Sequence, residues 1–546
     1  MSWIHGLRFD NLRGDVYGGL TAAVVALPLA LAFGVASGAG PIAGLYGAIF
    51  VGFFAALFGG TPAQISGPTG PMTVVMAGTI TQFAHEPAMA FTVVMLAGLF
   101  QILFGIARLG RYVALVPFPV ISGFMSGIGC IIIILQLAPL IGHATPGGGP
   151  LAALAGLPEA LRAPGRDATI VGLVTLGIVY LTPNRLNRIV PAPLLALLLG
   201  SVLVLVLLRG APVLGEIPTG LPAPQLPTFT LEAVPAMVQA ALVLALLGSI
   251  DSLLTSLIAD NVTQTYHDSD RELIGQGIGN AIAGAFGGIP GAGATMRTVV
   301  NVRTGGRTPI SGALHALVLL GIVLGLGGLA QHIPHAVLAG ILLKVGIDII
   351  DWPYLKRIRE APRAGVFFML VVLLLTVLVD LITAVAVGVV LASLLFVKRM
   401  SDLQLANIRA ITGATDEPGL NEEERAALEA GGGRVILYHL SGPFSFGAAK
   451  GMARRLGAFD EYDALVLDLR EVPFLDSSAS LGLEDAIKQA QGRNKQVFLV
   501  GVRQEVANTL RRLGVLKLLP ESHYHVARLE ALKQAAAMVA LERTDP

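Results

Sequence analysis

From residue 15 to residue 397 the chain is a succession of apolar runs separated by short breaks rich in Gly, Pro and Arg. Most runs approach the roughly 20 residues that cross a bilayer as a helix. Segmenting at the breaks predicts spans near 15–36, 42–59, 68–83, 89–107, 115–141, 168–182, 190–208, 234–259, 272–288, 294–301, 308–328, 335–350, 364–378 and 381–397. The third and tenth of these are expected to be partly non-helical half-spans. Beyond Lys398 the pattern changes to a mixed soluble one. Residues 435–438, 464–469 and 496–501 read as strands, alternating with helical patterns over 448–456, 479–489, 505–513 and 529–542. The expected organisation is a membrane domain over residues 1–400, a polar linker over 401–433 and a small α/β domain over 434–546.

Two stretches resemble each other across the membrane part. Gly67-Pro68-Thr69-Gly70-Pro71-Met72-Thr73 and Gly291-Ala292-Gly293-Ala294-Thr295-Met296-Arg297-Thr298 are both Gly-rich, carry Thr, and run into an apolar segment. Broken backbone at membrane depth survives only where it is buried in protein or lines a cavity. Interrupted segments at matching positions of two halves are the best sequence pointer to a transporter's binding site.

Charge supports the same partition. With the N-terminus cytoplasmic, the loops after even-numbered spans should be basic. They contain Arg108 and Arg111, Arg185 and Arg188, Arg271, Arg303 and Arg307, then Lys356, Arg357, Arg359 and Arg363. Arg8 and Arg13 precede the first span, and Lys398 and Arg399 follow the last. Both termini are therefore expected on the cytoplasmic side of the inner (plasma) membrane, with fourteen spans in two halves of seven. An odd repeat length inserts the second half upside down, the inverted-repeat condition for alternating access.

Of the 546 residues, 54% are hydrophobic and 13% charged, against about 25% charged in soluble proteins. The net charge of +1 provides no field for nucleic acid. The single cysteine, Cys130, lies in an apolar run and is expected to be a small core residue. No Walker-A sequence and no Cys/His cluster is present, and nothing in the chain suggests an enzyme or an organic cofactor.

Asp251 is the sharpest chemical signal. It sits well inside the eighth span, where a carboxylate costs about 2.5–3.5 kcal/mol on insertion scales. Thr255, four residues on, shares its helical face. A carboxylate and a hydroxyl are hard oxygen ligands suited to a small cation. The unwound carbonyls of Gly293 and Ala294, the Thr295 hydroxyl and Thr69 of the facing half-span extend that ligand set. The structural alternative is an Asp paired with a nearby Arg. Arg297 opens the second half-helix, where a guanidinium adds to the positive end of the helix dipole. It either helps bind an anion there or neutralises Asp251. Gln101 and Gln136 are expected to hydrogen-bond between helices. Ser269-x-x-Glu272 reads as a capping box, and Gly275-Gln276-Gly277-Ile278-Gly279 as close helix packing. In the soluble part, Asp476-Ser477-Ser478 is a helix cap or a phosphoacceptor turn at Ser477 and Ser478.

These residues give the chain a strong resemblance to the sulfate permease (SulP) family of anion transporters. It is carried by Ala26-Leu27-Pro28-Leu29-Ala30-Leu31-Ala32-Phe33-Gly34, Ile65-Ser66-Gly67-Pro68-Thr69-Gly70-Pro71 and Glu272-Leu273-Ile274-Gly275-Gln276-Gly277-Ile278-Gly279-Asn280. The C-terminal part resembles the STAS domain (sulfate transporter and anti-sigma factor antagonist), its Asp-Ser-Ser turn at 476–478 matching the phosphoacceptor region. The resemblance implies a seven-plus-seven inverted repeat with core and gate parts and elevator-like transport. Within the family the chain looks most like the sodium-dependent bicarbonate transporters of cyanobacterial type. That likeness implies a sodium site at Thr69, Asp251, Thr255, Gly293, Ala294 and Thr295. The anion would lie between the half-helices, at Thr69, Gly70, Ala294, Thr295 and Arg297. Sodium-coupled bicarbonate symport is thus the leading expectation. Proton-coupled dicarboxylate or sulfate symport and anion exchange are the alternatives. A homodimer steadied by the C-terminal domains is expected.

Overall fold

The computed structural model describes residues 4–113, 117–146, 149–187, 190–215, 222–379, 381–412, 419–456 and 461–542. Arg188 of the basic loops, the start of the fifth expected span and part of the expected linker lie outside these residues. The chain divides into two compact units, Met1–Val390 and Leu391–Pro546.

The first unit is helical. Its helices begin with α1 (Leu12–Ala36), α2 (Pro41–Phe58), α3 (Gly70–Gln82), α4 (Pro87–Ile106), the short α5 (Gly110–Val113) and α6 (Phe118–Leu140). There follow α7 (Gly149–Arg162), α8 (Arg166–Leu181), the short α9 (Asn184–Asn187), α10 (Ala192–Val206) and α11 (Val234–Thr263). The series ends with α12 (Ser269–Ala285), α13 (Thr295–Arg303), α14 (Pro309–Ala330), α15 (His335–Ile349), the short α16 (Trp352–Lys356), α17 (Arg363–Leu378) and α18 (Leu381–Ala406). Each of the fourteen expected apolar segments coincides with one of these helices. Among the described residues, five (α1, α2, α4, α6 and α11) are long and apolar enough to cross a membrane on length and composition alone. Hydropathy alone does not flag α7, because it is short and strongly two-faced.

The glycines of α12 let it pack backbone to backbone. A Cβ at Gly275 would fall 2.3 Å from the Gly59 nitrogen at the end of α2, and one at Gly277 2.5 Å from the Gly98 carbonyl of α4. This is the close packing expected of that segment. Cys130 departs from expectation: it is only partly buried on α6, since the small residues Gly123, Gly127 and Gly129 take the packed face instead. The capping box is also corrected. Asp268 caps α12, accepting from the Arg271 N–H at 3.1 Å, while the Glu272 carboxylate turns into the protein interior.

In the second unit five strands form a sheet in the order β3 (Ile408–Ile411), β4 (Val435–Ser441), β5 (Ala464–Glu471), β6 (Gln496–Val500) and β7 (Tyr524–His525). The β3–β4 pair is antiparallel and the others are parallel. Alternation along β4 builds two cores. Ile436 and Tyr438 pack with α20 (Phe446–Leu456), α21 (Ser477–Gly492) and α22 (Gln504–Arg512). Val435 and Leu437 pack with α19 (Glu422–Ala430) and α23 (Arg528–Glu542). The stretch expected as linker, 401–433, therefore holds β3 and α19, both built into this sheet and its core. Four residues are too few to show a strand period. The Glu422-Glu423-Glu424 run is the first turn of a helix with an Asn421–Glu424 capping box.

Candidate functional site

The two Gly-rich stretches meet. Ser66–Gly67 (β1) pairs antiparallel with Ala292–Gly293 (β2), Ser66 opposite Gly293 and Gly67 opposite Ala292. The Ala294 N–H extends the pair, donating to the Ile65 carbonyl at 2.8 Å. Helices α3 and α13 leave this short ribbon in opposite directions, so their N-termini face each other. The capping residues, Thr69 and Ala294, accept no side-chain hydrogen bond from their helices. Both ends thus keep the orphan donors of a helix N-terminus, a ready anion site. Pro71 in the first turn of α3 suits this start, since its missing N–H would be unpaired in any case.

Helix α11 runs beside the ribbon and presents Asp251, Ser252, Thr255 and Ser256, all buried. The Gly293 N–H donates to Ser252 Oγ at 3.0 Å. Thr255 Oγ1 lies 3.0 Å from the Gly293 carbonyl and 2.8 Å from Thr295 Oγ1. Thr255, Gly293 and Thr295 are thereby brought together as expected. Thr69 and Asp251 are buried nearby, at 8% exposure each. Thr69 Oγ1 faces the Asp251 carboxylate, but neither it nor Asp251 Oδ2 has a hydrogen-bond partner within 3.5 Å. The Ala294 carbonyl accepts the Thr298 N–H at 2.8 Å as α13 begins.

Arg297 is 2% exposed. No ion pair joins it to Asp251 among the described residues. Its Nη2 donates to the Pro68 carbonyl, and Nη1 is buried without an acceptor. The guanidinium thus ties the start of α13 to the approach of α3. It remains an electrostatic neighbour of Asp251. Gly67 is required here: its φ is +149°, and a Cβ would fall 2.8 Å from Arg297 Nη1.

The other buried carboxylates of this unit are fully occupied. Asp15 accepts from the Arg307 and Thr308 N–H groups at 2.8 and 2.9 Å and from Thr308 Oγ1 at 2.8 Å. Glu272 accepts four: the Gly60 and Thr61 N–H groups at 2.9 Å each, Gln64 Nε2 at 2.7 Å and Gln276 Nε2 at 2.8 Å. With four donors around it, the Glu272 carboxylate is fully hydrogen-bonded. Asp251 differs in having a buried oxygen that nothing fills.

A cavity of about 960 Å³ opens between the ends of α1 and α3 and the helices α6, α15 and α17. It approaches the half-helix junction but stops short of Thr69. A void of about 10 Å³, bordered by Phe33, Thr73, Ile132 and Leu342, lies in between. Gln136 borders both spaces, and among the described residues it makes no helix–helix hydrogen bond, contrary to expectation. Gln101 does make one, accepting from Asn280 Nδ2 at 2.8 Å. The roles of Ser252, Gln64, Gln276 and Asn280 around the ribbon escape hydropathy. For Ser252, Gln276 and Asn280 the signal is polar residues recurring every fourth position on one helix face; Gln64, in the loop before β1, has none. In the second unit, Asp476 caps α21 through the Ala479 N–H at 2.7 Å, and Ser477 and Ser478 are exposed in its first turn.

The chain is similar to known proteins over nearly its whole length. The chain is 50% identical over 540 residues to a bicarbonate transporter, BicA, of Picosynechococcus sp., covering 97% of this chain and 95% of that protein. It is 51% identical over 536 residues, with the same coverage, to a bicarbonate transporter of Synechocystis sp.. The solved transmembrane domain of a cyanobacterial bicarbonate transporter matches with TM-score 0.67 at 54% identity, over 70% of this chain and all of that one. The fold is also that of the murine solute carrier 26 family member A9 anion transporter in its inward-facing state. That match has a TM-score of 0.82 over 97% of this chain and 92% of that one, at 20% identity. A STAS domain is matched over residues 430–528. With the sulfate permease family matched over residues 12–372, the chain belongs to that family: it is a multi-span membrane transporter with a C-terminal STAS domain, and not an enzyme.

Proposed function

We propose that the protein is a sodium-coupled bicarbonate symporter. The observation that carries this is the contrast among buried carboxylates. Asp15 and Glu272 are saturated with donors, whereas Asp251 Oδ2 is empty beside the equally empty Thr69 Oγ1. A buried carboxylate left open is costly unless a cation completes it. Thr69, Asp251 and Thr255 with the Gly293, Ala294 and Thr295 segment offer only oxygen, which suits a small hard cation. The facing N-termini at Thr69–Gly70 and Ala294–Thr295, with the unfilled Arg297 Nη1, supply positive potential for the anion beside it. A cation and a monovalent anion move together as a nearly neutral pair. The relatives at 50% and 51% identity, both bicarbonate transporters by name, favour bicarbonate over other oxyanions.

In this reading fourteen segments form two inverted seven-span repeats in the inner (plasma) membrane, with the N-terminus and the STAS domain cytoplasmic. The half-helices travel with the core against a gate, as an elevator, and the protein is a homodimer. The 960 Å³ cavity at the C-terminal end of α1 is then the external vestibule. The buried Arg297 favours a second reading, in which a divalent sulfate or dicarboxylate takes the same site. Uptake into proteoliposomes of labelled bicarbonate, sulfate and fumarate, with and without an inward sodium gradient, decides between them. Bicarbonate uptake that follows the sodium gradient is expected. Sodium-independent uptake, or uptake of sulfate or fumarate alone, overturns the proposal.

A further inference from the structure

We propose that one face of α12 is a polar spine that positions both unwound segments of the transport site without touching the transported ions. Glu272, Gln276 and Asn280 are spaced by four residues, so they stack on one face of the helix. All three are buried, none more than 1% exposed, and each grips a different point of the broken backbone. Glu272 accepts the Gly60 and Thr61 N–H groups and the Gln64 side chain, at the entry to the first unwound segment. Gln276 Nε2 donates to Ser66 Oγ at 2.6 Å, on the residue that pairs with Gly293. Asn280 clasps the second segment from both sides. Its Oδ1 accepts the Gly291 N–H at 2.8 Å, and its Nδ2 donates to the Gly291 carbonyl at 2.9 Å.

The spine also reaches the helix that carries Asp251. Asn280 Nδ2 donates to Gln101 Oε1. The amide nitrogen of Gln101 lies against Gly248, one turn before Asp251, where a Cβ would be 2.7 Å away. From the other end, Gln64 Oε1 accepts from Ser256 Oγ at 3.1 Å, the residue after Thr255. Ribbon and α11 are thus referenced to one rigid helix at three heights. A two-residue ribbon could not hold its own register, because isolated short strand pairs are not stable. Ligand oxygens at a cation site must be placed to a fraction of an ångström, and the groups behind them set that placement.

This inference rests on the proposed ion site, so its test separates the two. Asn280→Leu removes the Gly291 clasp while keeping the branched shape and the number of side-chain heavy atoms. Gln276→Met removes the donors to Ser66 and Glu272. Each variant and the parent protein are purified and reconstituted. Initial uptake of labelled bicarbonate is measured against sodium, and against bicarbonate at saturating sodium. Thermal midpoints are recorded in sodium chloride and in choline chloride. Loss of groups behind a cation site costs roughly 10–100-fold in affinity. A rise of that size in the sodium half-saturation of Asn280→Leu is expected, with sodium-dependent thermal stabilisation moved to higher sodium. A role in folding alone would lower the midpoint in both salts and leave the half-saturations where they were; that result overturns the proposal. If Asn280→Leu does not fold, Gln276→Met carries the same criterion. If the parent shows no response to sodium, the coupling reading fails, and the bicarbonate half-saturation decides the spine. A rise supports it, and no change overturns it.

Discussion

At the scale of single residues, the site turns on which buried polar atoms are filled. Asp251 was legible in the sequence, since a carboxylate deep in an apolar run needs a partner wherever the fold puts it. Whether that partner is Arg297 was not legible. Arg297 bonds to the Pro68 carbonyl instead, a choice made by chain crossing 229 residues apart. Ser-x-x-Glu satisfies a local capping rule for Glu272, but tertiary contacts offer three donors and Gln276 on the same helix a fourth. Asp251→Asn keeps the size and removes the charge. It should reduce sodium-driven bicarbonate uptake to the level of protein-free liposomes while the purified protein keeps its thermal midpoint. Normal sodium-dependent uptake would remove Asp251 from the ion site. Thr255→Val deletes a hydroxyl that reaches both the Gly293 carbonyl and Thr295. A hydrogen bond is worth about 1 kcal/mol, so its sodium half-saturation should rise roughly fivefold to tenfold with a smaller change for bicarbonate. Arg297→Lys keeps the charge but not the planar fork. It should weaken bicarbonate more than sodium, read as separate half-saturations.

At the scale of elements, the two half-helices were visible because Gly and Pro interrupt apolar runs at matching places. Their pairing register was not, since nothing in a two-residue strand encodes its partner. Glycine geometry gives a graded test of how tightly the junction is built. Gly67→Ala forces a side chain into φ +149° and against Arg297. Strain of this kind costs of order 1–3 kcal/mol, so a lower thermal midpoint and weaker bicarbonate binding are expected together. Gly70→Ala is different. Its methyl would meet only the Cδ1 tips of Ile349 and Ile132, at 2.7 and 2.8 Å. Both come from helices across the cavity, α15 and α6. The variant should fold but turn over slowly, because the methyl props apart surfaces that close on each other. Combining it with Ile349→Ala should restore part of the rate. If the double variant is no faster than Gly70→Ala, those isoleucines do not contact the half-helix during transport.

At the scale of the whole molecule, the second unit was recognisable as α/β from its three apolar strands, but its edge was not. Its charged centre explains one dependence on pH. Asp468 is fully buried on β5. Burial alone would raise its carboxyl, but His439 and Arg470 hydrogen-bond to it and hold it well below the ordinary carboxylate range. A folded-state value below the unfolded one contributes stability that is full above the unfolded value, about 3.9, and is lost as pH falls through the folded one. Arg528, 6% exposed, also approaches Asp468 at 3.4 Å and pairs with Glu424 of α19. Arg528→Met leaves the buried Glu424 without its paired cation, while Asp468 keeps His439 and Arg470; it should cost about 3–5 kcal/mol, read as earlier proteolysis of the second unit in the intact protein. Glu424 belongs to the 401–433 stretch whose polar composition predicts a linker, and with it come Ile411, Leu420 and Leu428 in the core around Phe498. A truncation after Gly433 therefore leaves β3 and α19 without a sheet and exposes their apolar side chains. A truncation after Met400 removes the whole sheet with the helices packed on it. The shorter protein should be monodisperse in detergent and the longer one aggregated. If STAS domains hold two copies together, the protein ending at Met400 should also elute as a monomer, with reduced uptake and unchanged preference for bicarbonate. A dimeric, fully active protein ending at Met400 would show that the first unit makes the dimer by itself.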